Sequence, residues 1–201
     1  MRISKSLLAA IAMLLATAPA KAADQEWTWQ AATSAGEIAY VITKEFTDSI
    51  ETLTGGRLAV RLVPVGSVVQ YNETLDAIGS GLLDGHITAT VYFSGKDPAF
   101  ALLGDLIAAY EHPDQMFAFL RHGGGDDLLR ELMAPYGVHY IGGSATGKEA
   151  FISKIPIRGV DDFAGVKLRA PEGMAQDIFE RVGAVPVNLP AAEVFTAVER
   201  G

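Results

Sequence analysis

One arginine, set in a short extended run ahead of a helix, carries the strongest chemical signal in this sequence. In the stretch Ile157 to Gly183 (IRGVDDFAGVKLRAPEGMAQDIFERVG), Val166 and Leu168 alternate with Lys167 and Arg169, the pattern of a short strand with a polar face. Pro171 ends that strand. Met174, Ile178 and Val182 then recur at helical spacing, and Gly183 stands where a helix closes in a left-handed conformation. Arg169 is therefore expected at the carboxyl end of a strand, just before a helix N-terminus, which is where open α/β folds bind ligands. A guanidinium beside the positive end of a helix is an anion site, and its fork matches a carboxylate bidentately. An arginine neutralised by a neighbouring Asp or Glu, or one that is merely solvated, fits the same local sequence.

Other reactive types fall short of a catalytic pattern. Gly142 to Lys148 (GGSATGK) has the spacing of a phosphate loop, but Glu149 stands where Ser or Thr is needed to hold a metal ion. The alternative is a loop crossing between two lobes, with Lys148 and Glu149 either solvated or at a cleft. His86, His112, His122 and His139 share no metal-ligand spacing, which suits surface or satisfied core positions. No G-x-S-x-G elbow occurs and cysteine is absent, so neither a serine nor a thiol nucleophile is indicated. Glu172 could serve as a general base beside Arg169 or simply complement the helix dipole. Tyr92 and Phe93 close an expected strand ahead of Ser94-Gly95-Lys96, where they either line an apolar ligand wall or pack in the core.

The elements that must position these groups alternate in type. Trp27–Ala31 reads as a first strand. Ile38, Val41, Ile42, Phe46, Ile50 and Leu53 trace one face of a helix stopped by Gly55-Gly56. Strands are predicted over Arg57–Val65, Ile87–Phe93 and Val138–Gly142. Helices are predicted over Glu73–Leu82, Pro98–Leu103, Pro113–Leu120 and from Asp126-Asp127 to about Pro135. Strand–helix alternation of this kind indicates an α/β fold with a largely parallel sheet. Glu73 to Gly81 (E-x-L-x-A-I-x-x-G) is echoed by Glu193 to Gly201 (E-x-F-x-A-V-x-x-G), which suggests two related α/β halves. The second copy ends where the first runs on into a strand, so this half is expected to be incomplete, part of a longer protein.

The amino-terminal stretch reads as a secretory signal over residues 1–22. It has a basic start at Arg2 and Lys5, an apolar run from Leu7 to Ala16, and Ala20-Lys21-Ala22 as a small-x-small cleavage site. Those residues hold three of the 16 basic residues and none of the 24 acidic ones. The remainder therefore stands at 13 against 24, a net charge of −11. A chain this acidic, with no basic run, is a poor partner for nucleic acid or anionic lipid, so any anion must be held at a local positive site. Export without cysteine leaves the core to hold the fold alone.

Taken together, these segments resemble the solute-binding subunit of a tripartite ATP-independent periplasmic (TRAP) transporter of the dicarboxylate-binding type. The likeness is carried by Thr54 to Arg57 (TGGR), Leu75 to Gly85 (LDAIGSGLLDG), Phe93 to Asp105 (FSGKDPAFALLGD) and, most specifically, Gly159 to Gly201. The FSGKDPAF segment is similar to that of the 2-oxo acid and lactate binders. The resemblance implies a periplasmic-binding-protein-like (type II) α/β fold with two lobes and a ligand cleft. The first lobe would span 23–147, and 148–201 would begin a truncated second one. It further implies an exported, non-enzymatic protein that captures a small organic acid and delivers it to a membrane permease. Arg169 would clamp the carboxylate. Tyr92 would be a wall residue, with Lys148 and Glu149 in the crossing loop. No cofactor is implied. Some members hold a sodium or calcium ion through an amide side chain in the crossing loop; such a cation is compatible with the resemblance, but Lys148-Glu149 stands there, so the residues present do not support an inherited site. A homodimer is compatible with the resemblance. A periplasmic enzyme using Arg169 to grip a carboxylate, with Glu172 or Glu149 moving the proton, is the rival reading, and a ligand-sensing subunit is a third.

Overall fold

The computed structural model describes residues 23–104, 109–145, 150–171 and 173–201. Three parallel strands form the first sheet, in the order β2-β1-β3: β1 (Gln25–Ala31), β2 (Leu58–Val63) and β3 (Gly85–Ile87). Helix α1 (Ile38–Leu53) makes the crossover from β1 to β2, and α2 (Thr74–Gly79) the one from β2 to β3. Parallel pairing demands such crossovers, because each strand must return to the same end of the sheet. In register, Gln25 faces Leu58 and Gln30 faces Val63, while Trp29 faces Gly85. As the central strand, β1 is covered on both faces at its carboxyl end, so Trp29, Gln30 and Ala31 are all buried.

Helix α1 exists as the periodicity predicts, but its apolar face is turned the other way. Ile38, Ile42, Phe46 and Leu53 are 74, 60, 53 and 81% exposed. Tyr40 and Thr47 take the buried side instead. The Tyr40 hydroxyl donates to the Leu62 carbonyl of β2 at 3.1 Å, and of the predicted stripe only Ile50 packs against the sheet core.

Beyond β3 the chain does not extend as a strand to Phe93. Residues Thr90–Phe93 form a 3-10 turn, followed by α3 (Ala99–Gly104), α4 (Pro113–His122) and α5 (Gly125–Met133). Leu75, Phe93, Phe100, Leu120, Leu129, Met133 and Tyr140 make one core among these helices. The strand expected over Val138–Gly142 is absent, since that segment carries no regular structure.

The second sheet has two parallel strands, β4 (Lys167–Arg169) and β5 (Val185–Val187), crossed over by α6 (Met174–Arg181), after which α7 (Val194–Arg200) follows. Gly183 closes α6 with φ +83°, the left-handed value expected of it. Gly173 caps the other end at φ +94°, ψ −144°. A Cβ at Gly173 would stand 3.1 Å from Ala101 Cβ and 3.4 Å from Ser94 Cβ, so a bare backbone lets α6 approach α3. Gly173→Ala is expected to cost about 1–3 kcal/mol of stability, mostly as backbone strain, read as a lower denaturant midpoint with an unchanged slope.

The echoed motifs are geometric equivalents. Glu73 and Glu193 each cap a helix with nearly the same backbone (φ −103°, ψ −6° and φ −92°, ψ −11°). Each closes a turn by donating its N–H to a carbonyl three residues back, Gln70 and Pro190 respectively, at 3.0 Å.

Candidate functional site

Arg169 ends β4, half-buried, and its side chain reaches towards the first sheet unit. Its Nε donates to the Leu189 carbonyl at 3.1 Å, just past β5, and its Nη2 donates to the Tyr92 hydroxyl at 3.2 Å. The first bond fixes the plane of the guanidinium against its own sheet. The second joins it to a residue 77 positions earlier in the chain. Among the described residues no carboxylate lies within ion-pair distance of Arg169. It is neither turned to bulk solvent nor already neutralised by a described acidic neighbour. A fork anchored at Nε and one edge of Nη2 keeps its outer N–H groups for a planar anion.

The 3-10 turn at Thr90–Phe93 decides which aromatic meets the arginine. Its tight winding sends the consecutive residues Tyr92 and Phe93 to different environments. Thr90 Oγ1 pins the turn by donating to the Phe100 carbonyl at 3.0 Å. Tyr92 stays half-buried, and its ring meets Tyr71 edge-on, centroids 4.8 Å apart and planes at 78°. Phe93 is 1% exposed, stacked at 5.6 Å on His86 and edge-on to Phe100. The expected wall role of Phe93 is therefore corrected: it is a core residue, because a turn rather than a strand carries it inward. Lys148 and Glu149, the other two expected site residues, lie outside the described residues, as does Glu172.

Three contributors escape a reading of the sequence. Tyr71 lies in a polar turn with no periodic signal. The Leu189 carbonyl is backbone and has no signature. Gln30 stands out only as a polar residue in an apolar strand end. Its side chain is fully buried and accepts from the Val68 and Val69 N–H groups (2.8 and 3.2 Å) while donating to the Val69 carbonyl at 2.8 Å.

His86 is the one histidine with a distinct environment. Burial pushes its pKa down to about 4. Its Nδ1 lies 2.8 Å from Thr74 Oγ1, whose hydroxyl is also within 3.3 Å of the Tyr71 carbonyl. Among the described residues no group of three or more His, Asp or Glu could hold a metal ion. The oxygens that meet Arg169, the Tyr92 hydroxyl and the Leu189 carbonyl, are already occupied by a cationic donor, so they do not fit a cation site.

Two parallel α/β units, with a half-buried arginine joined across their seam, have a fold of the periplasmic-binding-protein-like α/β class. Residues 30–201 match the model of the bacterial extracellular solute-binding protein family 7, and the chain belongs to that family. A TRAP periplasmic solute-binding protein from Rhodobacter sphaeroides, solved in an apo open form, is 45% identical with a TM-score of 0.65. That match covers 88% of this chain and 56% of the other. A second, from Pseudoalteromonas atlantica, solved with bound sodium and pyruvate, is 26% identical with a TM-score of 0.75, covering 90% of this chain and 54% of that one. A monocarboxylate 2-oxoacid-binding periplasmic protein from Nostoc is 28% identical over 76% of this chain and 42% of its own length. The chain thus spans about half the length of the relatives it matches.

Proposed function

We propose that the protein is an extracytoplasmic solute-binding protein that captures a small organic acid at Arg169 and delivers it to a TRAP-type membrane permease. The observation that carries this reading is the guanidinium held at Nε by its own sheet and at Nη2 by Tyr92, with no described acid paired to it. Residues 1–22 would direct it to the periplasm. Residues 23–147 and 148–201 would belong to two lobes, so that Tyr92 and Arg169 face each other across the cleft. Family members with solved structures are solute-binding proteins, which favours capture over turnover. Titration calorimetry of the full-length protein with pyruvate, lactate and propionate tests the reading. Saturable binding without product formation supports it, and turnover of any of these acids would replace it with an enzyme.

Tyr92 narrows the ligand. Its hydroxyl accepts from Arg169, so its own proton is left to donate. A ligand with an oxygen acceptor next to the carboxylate, as in a 2-oxo or 2-hydroxy acid, uses both groups. Tyr92→Phe is expected to cost about 0.5–1.5 kcal/mol of pyruvate or lactate binding and to leave propionate unchanged. Equal losses for all three acids would remove Tyr92 as a donor to ligand.

A further inference from the structure

Gln30 and Arg169 occupy corresponding places in the two sheets. Each sits near the carboxyl end of the first strand of a parallel pair, opposite Val63 in one case and Val187 in the other. Each side chain then reaches past that partner strand to hold the loop that follows it. Gln30 binds the backbone of Val68 and Val69, and Arg169 binds the Leu189 carbonyl. Both loops lead into the echoed turns, Gln70 to Glu73 and Pro190 to Glu193. The first turn carries Tyr71, whose ring meets Tyr92 edge-on, and Tyr92 receives the Arg169 Nη2 hydrogen bond. An unbroken series of contacts therefore runs from a fully buried amide in the first sheet to the cation in the second.

We propose that Gln30 and Tyr71 are positioning residues for the anion site: Gln30 fixes the 66–72 loop, and Tyr71 in turn holds the Tyr92 hydroxyl opposite Arg169. The ligand assignment rests on the function proposed above, but the positioning geometry does not. Three hydrogen bonds from one buried side chain to two consecutive residues leave that loop little freedom. An edge-to-face aromatic contact restrains ring tilt better than an aliphatic neighbour of similar size does. The Tyr71 ring makes the contact with Tyr92, so leucine should not replace it.

The test uses the full-length protein and two readouts. In the ligand-free state, NMR of the arginine side chains follows rotation of the Arg169 guanidinium about its Cζ–Nε bond. This rotation is expected to speed up by about threefold or more in Tyr71→Leu, in Gln30→Met and in Tyr92→Phe. Pyruvate titration is the second readout: Tyr71→Leu is expected to weaken binding about three- to tenfold, with no further loss when placed in a Tyr92→Phe background, the signature of coupled residues. Additive losses, or an Arg169 rotation rate unaffected by Tyr71→Leu, would overturn the positioning role. Should Gln30→Met fail to fold, Gln30→Glu provides the second variant, and an Arg169 rotation rate unchanged in it would remove Gln30 from the positioning role. If Arg169→Ala binds pyruvate like the wild type, the ligand assignment falls while the ligand-free readout still judges the positioning.

Discussion

Replacing Arg169 with alanine in the full-length protein is expected to weaken carboxylate binding by about a hundredfold or more, close to 2.7 kcal/mol. The figure follows from two charge-assisted hydrogen bonds at about 1.5–3 kcal/mol each, set against the roughly 8.2 kcal/mol of a micromolar complex. Loss of the guanidinium also releases the Tyr92 hydroxyl and the Leu189 carbonyl, the groups it ties together across the seam. Lysine should not rescue, because an ammonium is a point charge without the planar fork that engages a carboxylate and two other acceptors at once. Calorimetry showing less than a threefold change on Arg169→Ala would take this residue out of the site. Thermal unfolding of the ligand-free variant provides the control, since the half-buried cation contributes its binding energy only when an anion is present.

Acid is expected to destabilise the fold through His86. Its folded pKa, about 4, lies below the 6.5 of a free imidazole, so the native state keeps the ring neutral near pH 7. For such a group the unfolded chain binds the proton more readily. The contribution is therefore fully present above pH 6.5 and is lost as pH falls from there towards 4. At about 1.4 kcal/mol per pH unit, the total is about 3.5 kcal/mol as an upper figure, of which about 3 kcal/mol is lost by pH 4. The cause is burial: the imidazole lies flat against Phe93 with Thr74 at Nδ1. Denaturant unfolding at pH 7 and pH 4 should show the wild type losing up to about 3 kcal/mol more than His86→Gln, because carboxylate contributions common to both cancel. Equal losses would show that the ring is hydrated in the native state. Since Thr74 also donates to the Tyr71 carbonyl, acid binding at His86 lies within reach of the Tyr71–Tyr92 contact.

Local periodicity and turn chemistry made much of this molecule legible before any coordinates. The β4–α6 unit, its closing Gly183 and the place of Arg169 at a strand end follow from alternation over Val166 to Arg169, a breaker at Pro171 and helical spacing from Met174 to Val182. The parallel strand–helix order followed likewise, and so did the echo of Glu73 in Glu193, because each depends on neighbours within a few residues.

What sequence could not decide was orientation. The apolar stripe of α1 is real, yet Tyr40 and Thr47 face the sheet, since packing against β2 is chosen by shape and by the Tyr40–Leu62 hydrogen bond as well as by hydropathy. Tyr92 and Phe93 are adjacent aromatics that only the winding of a 3-10 turn could separate, one to the seam and the other to the core. Tyr92 and the Leu189 carbonyl meet Arg169 across separations of 77 and 20 residues, with Tyr71 reaching it only through Tyr92, and partners at such distances leave no mark on local sequence. Residue type and spacing marked Arg169 as a candidate anion site. The tertiary fold alone determined which neighbours aim the cation, because that depends on how two sheets meet rather than on either one.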